Sequence, residues 1–289
     1  MNLADLKNRG EVWPDLVRDL RYSTIPGKAT LASRLVPGWA TLRYHWGVST
    51  VIRSVAGTAA AGGFGSGDFS RCCHAILSRA ESCGGMIEID GVEHVKNSVP
   101  AVFVANHMGS FETLVVGGFI LPFGDVTFVL KESLARYPVF KHLVKGINPV
   151  TVGRTNPRDD LRAVMTIGVD RLKAGISVVI FPQSTRSAVF DASKFNSLGV
   201  KLAGKAGVPI VPLAVKTDFL TPGRILKDFG IVDARKVIRF RFGAPLSVSG
   251  RQREVHKETV DFLAGCLEEW NMPVIRAESS DSAGGSAAE

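Results

Sequence analysis

The chain has 289 residues, of which 45% are hydrophobic, and this is sufficient for one large α/β domain with a buried core and an additional segment. Its formal net charge of +8 suits nucleic acid, an anionic membrane surface or an acidic substrate, although an excess of this size also serves solubility alone. No nucleic-acid motif is visible and aromatic residues are not interleaved with basic ones, so the sequence favours an anionic membrane surface and no nucleic acid.

The segment at residues 30–55 combines apolar and basic residues at helical spacing. An apolar stripe with tryptophans and basic flanks is typical of an amphipathic helix that lies flat at a membrane interface. Packing of the same stripe against the protein's own core is the alternative interpretation. The apolar residues are Leu35, Trp39, Leu42 and Trp46, and the basic residues beside them are Arg34, Arg43, His45 and Arg53.

Glycine and alanine dominate residues 57–67, which predicts a flexible linker or a turn after this N-terminal segment. The end of the chain is rich in Ser, Gly and Ala and is predicted to be disordered. We therefore divide the chain into an N-terminal helical segment with its linker at residues 1–67, a main domain at residues 68–275 and a tail at residues 276–289. No run of about 18 apolar residues is present, so we expect no transmembrane helix.

Short apolar runs alternate with helical segments along the main domain. This alternation indicates the α/β class, with a mostly parallel sheet covered by helices on both faces. Helices are predicted near residues 69–82 and 254–270. Strands are predicted near residues 86–90, 101–105, 126–130, 149–152, 177–181 and 210–215.

The cysteines and the N-terminus indicate the cellular compartment of the protein. Cys72, Cys73, Cys83 and Cys266 include no Cys-x2-Cys spacing, so we expect reduced cysteines and no metal site. The N-terminus has no charged-then-apolar secretory signal. Together these features predict a reducing, cytosolic environment.

A histidine and a carboxylate lie five residues apart just after the strand predicted at residues 101–105. His107 is expected in the loop at the carboxyl end of this strand, and Glu112 in the first turn of the next helix, with Ser110 as its N-cap. In open α/β sheets, ligands bind outside the carboxyl ends of the strands. A carboxylate there could orient the imidazole so that His107 deprotonates a hydroxyl. A solvated surface pair is the alternative for an isolated motif of this kind.

Three further blocks follow at intervals typical of βα units, each beside a predicted strand. Basic groups that converge on the same edge as a histidine–carboxylate pair suggest a phosphate-bearing acceptor beside a general base. The blocks are Gly-Arg-Thr-Asn at residues 153–156, Phe-Pro-Gln-Ser-Thr-Arg-Ser at residues 181–187 and Val-Pro-Ile-Val-Pro at residues 208–212, and Lys131 closes another strand.

In these blocks and their order, the chain resembles the glycerolipid acyltransferases typified by lysophosphatidic acid acyltransferase, over about residues 86–245. That family carries His-x4-Asp or Glu, Gly-x-Arg, Phe-Pro-Glu-Gly-Thr-Arg-Ser and a strand like Val-Pro-Ile-Val-Pro. The resemblance implies the fold of that family, with residues 68–275 as the acyltransferase domain. It implies acyl transfer from a thioester of coenzyme A or acyl carrier protein to a lysophospholipid, most directly lysophosphatidic acid, giving phosphatidic acid. No cofactor or metal is implied.

The resemblance also favours the membrane interpretation of residues 30–55, and therefore a peripheral or monotopic protein at the cytoplasmic face of the cell membrane. It implies His107 as the general base and Glu112 as its partner. It assigns the remaining matched positions to the acceptor or its phosphate. These positions are Lys131, Arg154, Gln183, Ser184, Thr185 and Arg186.

The chain departs from the family pattern at two blocks. No residue separates Gly153 from Arg154, and Gln183 and Ser184 replace Glu and Gly. Gln183 keeps a carbonyl acceptor but loses the charge, which leaves open a different lysolipid or an amino-lipid acceptor. The same change permits a non-catalytic lipid-binding protein, against which the intact His107–Glu112 pair argues. A hydrolase is disfavoured because the residues around Ser184 do not form Gly-x-Ser-x-Gly.

Overall fold

The computed structural model describes residues 3–25, 27, 38–60, 64–136, 146–183, 185–221, 223 and 229–276. Strands and helices alternate through most of these residues, so the predicted α/β class is confirmed. The strands, numbered in chain order, are β1 (Tyr22–Ser23), β2 (Ile87–Asp90), β3 (Val102–Ala105), β4 (Val126–Lys131), β5 (Val150–Val152), β6 (Ser177–Ile180), β7 (Phe190–Asp191), β8 (Ile210–Lys216), β9 (Ile238–Phe242) and β10 (Val274–Ile275).

One mixed sheet contains most of these strands, in the order β1-β2-β9-β8-β3-β6-β4-β5, and β7 pairs with β10 separately. The neighbours β8, β3, β6, β4 and β5 all run parallel. β9 is antiparallel to β8, and β1 is antiparallel to β2. Every residue of the central strand β3 is buried, as expected of a parallel strand covered on both faces. The carboxyl ends of the parallel strands therefore meet at one edge of the sheet.

Helices cover the two faces of this sheet and enclose two clusters of buried side chains. One cluster includes Trp13, Phe69 and Phe119, and the other includes Leu202 and Leu263. The helices are α1 (Leu3–Val12), α2 (Pro14–Asp19), α3 (Trp39–Ala60), α4 (Ser66–Ser82), α5 (Val92–Lys96), α6 (Phe111–Ile120), α7 (Glu132–Arg136), α8 (Pro157–Ala163), α9 (Val169–Lys173), α10 (Leu198–Ala206) and α11 (Gln252–Glu269), with a π-helical turn at Val164–Gly168 and a 3-10 turn at Ala192–Lys194.

The six predicted strands correspond to β2, β3, β4, β5, β6 and β8, and their ends agree to within one residue. The helices predicted near residues 69–82 and 254–270 correspond to α4 and α11, but both begin earlier than predicted. α4 begins at Ser66 because the Asp68 carboxylate accepts a hydrogen bond of 3.0 Å from the Gly65 N–H, which closes the first turn. The sequence patterns missed β1, β7, β9 and β10.

The prediction of a flexible linker over residues 57–67 was wrong for most of that stretch. α3 continues through Gly57 to Ala60, and α4 begins at Ser66. Alanine has the highest helix propensity, and the alanines around Gly57 allow the helix to continue through it. Residues 61–63 lie outside the described residues, as does most of the predicted tail at 276–289, so the prediction of a disordered tail stays untested.

The N-terminal helices α1 and α2 are anchored to the sheet domain by buried polar contacts. The Arg9 guanidinium donates a hydrogen bond of 2.7 Å to Asp125, just before β4. The Trp13 indole N–H donates to the Ser70 hydroxyl at 3.1 Å, and its ring lies edge-on to Phe119 with centroids 5.3 Å apart. The N-terminal segment therefore contributes directly to the core of the main domain.

The apolar stripe predicted at residues 30–55 is exposed where the structure describes it. Trp39, Leu42 and Trp46 of α3 all expose large parts of their side chains. The alternative in which this stripe packs against the core is therefore wrong for these three residues. Leu35 and Arg34 lie outside the described residues. None of the described helices has the length and apolarity that crossing a membrane requires.

The cysteines are unpaired and buried, as predicted for reduced cysteines. Cys72 and Cys73 lie on α4, Cys83 follows it, and Cys266 lies on α11. Burial raises the pKa of the Cys72 thiol to about 12, because an apolar environment disfavours the thiolate. These thiols are therefore poorly reactive and serve as small core side chains.

The buried helix α6 packs closely on α4 and on Trp13, which lies between α1 and α2, because it has a glycine where they meet. A Cβ atom on Gly118 would lie 2.6 Å from the Cys73 Cβ and 2.6 Å from the Trp13 ring. Real Cβ contacts are longer, so any side chain there would push the helices apart. Gly118 thus allows the close approach that fixes the position of α6.

We predict that Gly118→Ala lowers the free energy of unfolding by about 1–3 kcal/mol, because the added methyl group overpacks this contact. Gly265→Ala is the matched control, since Gly265 lies in α11 and a Cβ atom there would meet no neighbouring element within 4 Å. The control should be stabilised by about 0.5–1 kcal/mol, as alanine favours the helix. Urea unfolding measures both, and a Gly118→Ala protein of unchanged stability would contradict the packing argument.

Candidate active site

His107 and Glu112 form a direct pair at the carboxyl end of β3, as the sequence predicted. His107 lies in the loop after β3, and Glu112 lies in the first turn of α6. The His107 Nδ1 atom is 2.9 Å from the Glu112 Oε1 atom. Ser110 is the N-cap residue of α6, as predicted, but its side chain makes no capping hydrogen bond. Glu112 instead stabilises the loop before α6, because its Oε1 accepts the N–H groups of Met108 and Gly109, each at 2.7 Å.

The Glu112 carboxylate is fully buried. Its second oxygen, Oε2, accepts a hydrogen bond of 2.8 Å from the Thr217 hydroxyl, just after β8. Burial alone would raise the pKa of this carboxyl, but the donated hydrogen bonds from His107, Gly109 and Thr217 lower the pKa below its ordinary value. Glu112 is therefore ionised at neutral pH.

An ionised Glu112 determines the tautomer of His107. A carboxylate only accepts hydrogen bonds, so the His107 Nδ1 atom carries the proton and Nε2 keeps its lone pair. The imidazole side chain is only 13% exposed and stacks on the Phe181 ring, with centroids 4.6 Å apart. The pair therefore holds a base nitrogen in one orientation, which is the requirement for general-base catalysis.

The backbone around His107 is fixed from two other strands. The His107 N–H donates to the Gln183 side-chain oxygen at 2.6 Å, and the His107 carbonyl accepts from the Ser187 N–H at 3.0 Å. The buried Asn106 amide makes two hydrogen bonds of 2.8 Å with the backbone of Val215 in β8. The N–H groups of residues 107, 108 and 109 all donate to side chains. Those of Met108 and Gly109 are therefore unsuitable as donors to a reaction oxyanion, because both bind Glu112.

An open cleft of about 600 Å³ lies beside this pair, at the ends of β4, β5 and β6. Protein pockets that bind small molecules commonly have this volume. Phe181 and Gln183, which contact His107, both line the cleft. Its walls combine apolar side chains with two cations, Arg154 and Lys201, and one carboxylate, Asp160. The apolar residues include Val129, Val152, Leu161, Ile180 and Leu198.

Arg154 has a backbone conformation that is uncommon for a residue with a side chain. Its φ angle is 58°, in the left-handed region. The Asp160 carboxylate stabilises this turn by accepting the N–H groups of Gly153 at 2.8 Å and Arg154 at 2.9 Å. The absence of a residue between Gly153 and Arg154 is thus accommodated by a specific turn, which places Arg154 on the rim of the cleft.

The remaining predicted positions are only partly brought together. Thr185 is exposed and Arg186 is half-buried, and both lie between Gln183 and Ser187, which bind the His107 backbone. Lys131 is exposed at the end of β4, beside Val152 of β5. Ser184 lies outside the described residues. The roles that the resemblance implies for these residues stay predictions.

The sequence patterns missed Thr217, Asn106 and Lys201. Thr217 and Glu112 are 105 positions apart in sequence, so no local spacing predicts their contact. Asn106 lay inside the first block, directly before His107, and its position after a buried strand was the available signal. Lys201 lies on α10, outside every block, and only the folded chain brings it to the cleft.

Comparison with known proteins agrees with this geometry. Residues 86–216 match a family model described as Acyltransferase. The chain is 32% identical over 143 residues to the 1-acyl-sn-glycerol-3-phosphate acyltransferase of Pseudomonas aeruginosa, covering 50% of this chain and 54% of that protein. Residues 86–216, from just before β2 to the end of β8, are therefore similar to this acyltransferase family.

Two more relatives extend the comparison. A probable 1-acyl-sn-glycerol-3-phosphate acyltransferase of Mycoplasma genitalium is 30% identical over 140 residues, covering 46% of this chain and 50% of that protein. The crystal structure of the 1-acyl-sn-glycerophosphate acyltransferase PlsC from Thermotoga maritima has a TM-score of 0.66 and 17% identity, and covers 86% of this chain and 100% of that chain. The structure shows a shared fold. The chain spans about half the length of the curated relatives that it matches in sequence.

We predict that Thr217→Val makes the folded acyltransferase domain more sensitive to acid. The variant removes one donor from Glu112, so the Glu112 pKa should rise from its lowered value. A lowered pKa stabilises the folded state above the unfolded-state value of about 4.5, and this stabilisation is lost as pH falls through the folded-state pKa. Thr217→Val should therefore unfold at a higher pH and lose about 1–3 kcal/mol at neutral pH.

Acid and urea titrations followed by circular dichroism measure both effects. Thr217→Ser keeps the hydroxyl and should behave much more like the unaltered protein. Equal acid midpoints for the Val and Ser variants would show that the Thr217 hydroxyl does not stabilise the carboxylate.

Proposed function

We propose that the protein transfers an acyl chain from an acyl thioester to the hydroxyl of a lysophospholipid, with lysophosphatidic acid as the acceptor and phosphatidic acid as the product. The observation that carries this proposal is the contact of 2.9 Å between His107 and the buried Glu112, beside an open cleft at the carboxyl edge of the sheet. The names of the relatives support this acceptor. The donor is a thioester of coenzyme A or acyl carrier protein.

The proposed reaction is a direct transfer. The His107 Nε2 atom removes the proton from the acceptor hydroxyl as its oxygen attacks the thioester carbonyl carbon. The tetrahedral intermediate then collapses, the carbon–sulfur bond breaks, and the thiolate leaves with the proton that His107 held. Glu112 stabilises the imidazolium while it carries this proton, and such assistance typically contributes about 10²–10⁴ in rate.

The cleft suits the two ends of such substrates. Its apolar wall, formed by side chains such as Val129, Ile180 and Leu198, would contact an acyl chain. Arg154 on the rim and Arg186 in the loop beside His107 would bind a phosphate through charge-assisted hydrogen bonds. A different lysolipid or amino-lipid acceptor is the alternative, because Gln183 lines the same cleft with an uncharged amide.

We further propose that the protein binds the cytoplasmic face of an anionic membrane as a peripheral or monotopic protein. The exposed residues Trp39, Leu42 and Trp46 support this placement, and the Arg53 guanidinium lies over the Trp46 ring at 5.9 Å. Tryptophan beside basic residues suits the headgroup region of a bilayer. The net charge of +8 adds attraction to anionic lipids.

The test of the reaction is a panel of lysolipids, lysophosphatidic acid first, offered with acyl-CoA and with acyl-ACP. His107→Ala should lower the transfer rate by at least about 10²–10⁴-fold, because the base is removed. Glu112→Gln keeps the shape and should also lose most of the rate. Thiol release and lipid product are both measured, with circular dichroism as the folding control. Near-normal turnover by a folded His107→Ala protein would remove His107 from the mechanism.

We predict that Arg154→Ala and Arg186→Ala raise the KM for the acceptor more than the KM for the thioester. Each variant should lose a charge-assisted contact with phosphate, which contributes about 1.5–3 kcal/mol. Arg158→Ala is the matched control, since Arg158 is exposed on α8 and does not line the cleft. A change confined to the thioester KM would assign these arginines to the donor.

We predict that Trp39→Ser with Trp46→Ser reduces binding to vesicles that contain phosphatidylglycerol, with little change in Tm. Trp46 is 65% exposed and Trp39 is 44% exposed, so their loss removes much less buried area than the loss of two core tryptophans would. Binding should also weaken at higher salt, because the basic residues act through a screened field. A large fall in Tm with unchanged vesicle binding would contradict the membrane proposal.

A further inference from the structure

A second exposed apolar element lies against α3, far from it in sequence. We infer that residues 229–232, here termed the 229–232 segment, form one membrane-docking surface with the exposed stripe of α3. This inference rests on the proposed binding to an anionic membrane and extends it to a part of the chain that the sequence patterns did not single out. The occupant of this surface is the headgroup region of an anionic bilayer.

Three contacts join the 229–232 segment to α3. The His45 Nε2 atom donates a hydrogen bond of 2.7 Å to the Gly230 carbonyl. The Val232 N–H donates to the Thr41 hydroxyl at 3.0 Å. The rings of His45 and Phe229 lie 5.2 Å apart between centroids. The segment therefore has a defined position on the helix.

The shape of the segment is also fixed from behind. Phe219 and Thr221 run antiparallel to residues 231–233, with hydrogen bonds of 3.0 Å from the Thr221 N–H to the Ile231 carbonyl and 2.8 Å from the Asp233 N–H to the Phe219 carbonyl. A Cβ atom on Gly230 would overlap the Thr221 carbonyl oxygen, so only glycine permits this approach. The backbone that carries the apolar side chains of the segment is thus held in place by its pairing with residues 219–221.

The two elements expose neighbouring apolar side chains. Phe229 is 54% exposed and Ile231 is 69% exposed, compared with 62% for Leu42 and 65% for Trp46. Leu42 is three positions before His45 and four before Trp46, so on the surface of α3 it neighbours both His45, which the segment contacts, and Trp46. The apolar surface of α3 therefore continues onto the segment, and such a continuous patch is typical of an interaction site.

Charge indicates that the occupant is a bilayer surface. Arg43 and Arg53 lie on the same helix as the exposed tryptophans, and Arg53 covers the Trp46 ring. A mixture of tryptophan, aliphatic side chains and arginine matches the amphipathic headgroup region, where the rings lie at the headgroups and the guanidinium groups meet lipid phosphates. A second copy of the same basic protein would bring like charges together at this patch.

The docking surface is linked to the catalytic pair through buried aromatic rings. Tyr44 of α3 lies 6.0 Å from Phe219 and 6.4 Å from Phe111 between ring centroids. Phe111 precedes Glu112, and Phe219 follows Thr217, which binds Glu112, by two positions. Binding of both apolar elements to a bilayer would therefore fix the orientation of the site relative to the membrane surface.

The first experiment measures vesicle binding by the Phe229→Ser and Ile231→Ser double variant. Sedimentation with vesicles of phosphatidylglycerol and phosphatidylcholine should show a loss of affinity of about tenfold, since membrane affinity scales with the buried apolar area. Ile275→Ser is the matched control, because Ile275 is 53% exposed in β10, which pairs with β7 and not with α3. The control should bind as the unaltered protein does.

A second experiment measures directly whether the 229–232 segment inserts into the bilayer. The cysteines are all buried, so an Ile231→Cys variant can be labelled with an environment-sensitive dye at the new thiol. The dye emission should shift to the blue when vesicles are added, whereas the same dye on Ile275→Cys should not respond. This readout does not depend on a change in affinity.

Normal vesicle binding by the double variant, together with an unresponsive dye at residue 231, would overturn the inference. A change in sedimentation coefficient of the double variant without a change in vesicle binding would overturn it too, in favour of a protein partner. Acyl transfer to a monomeric, short-chain acceptor distinguishes failure of the docking inference from failure of the proposed reaction. The double variant should retain that activity, whereas an unaltered protein that lacks it would refute the reaction and leave the vesicle result standing.

Discussion

The structure around the candidate site depends on one buried negative charge. The Glu112 carboxylate is removed from water, and an isolated ion in that position would be strongly disfavoured. Donors from three directions offset this cost: the imidazole of His107, the backbone of Met108 and Gly109, and the hydroxyl of Thr217. The loop after β3, the start of α6 and the end of β8 are therefore held together by one group. Because the same bonds keep the carboxylate ionised, they also give His107 the tautomer that a general base needs.

The sequence predicted those parts of the fold and site that depend on local patterns. The strands of a parallel sheet covered on both faces are continuous apolar runs, which is why β3, β6 and β8 were predicted almost to their ends. The pair of His107 and Glu112 was also predictable, since a strand, a short loop and a helix start bring residues five apart into contact. The location at the carboxyl edge then followed from the parallel order of the strands.

The remaining features depend on contacts that are distant in sequence or on competition between local preferences. Thr217 and Gln183 reach the His107 loop from other strands, and a single sequence gives no measure of such pairings. At residues 57–60 the helix propensity of alanine outweighed the glycine signal that had predicted a linker. Ser110 takes the predicted N-cap position, but its hydroxyl makes no capping hydrogen bond, and the Glu112 carboxylate accepts the loop N–H groups before α6. In each case the residues were visible in the sequence, but the sequence alone did not show which contacts or which backbone conformation they would adopt.

The replacement of the family's Glu by Gln183 has a physical rationale in this loop. The N–H groups of His107 and Met108 are consecutive, and they donate to Gln183 and to Glu112 respectively. A glutamate at position 183 would place a second carboxylate beside the buried one, and like charges at such close range raise each other's pKa. The neutral amide keeps the acceptor oxygen for the His107 N–H without this repulsion. We therefore infer that Gln183 acts first on the position of His107, and that any effect of this replacement on the choice of acceptor passes through the geometry of the base.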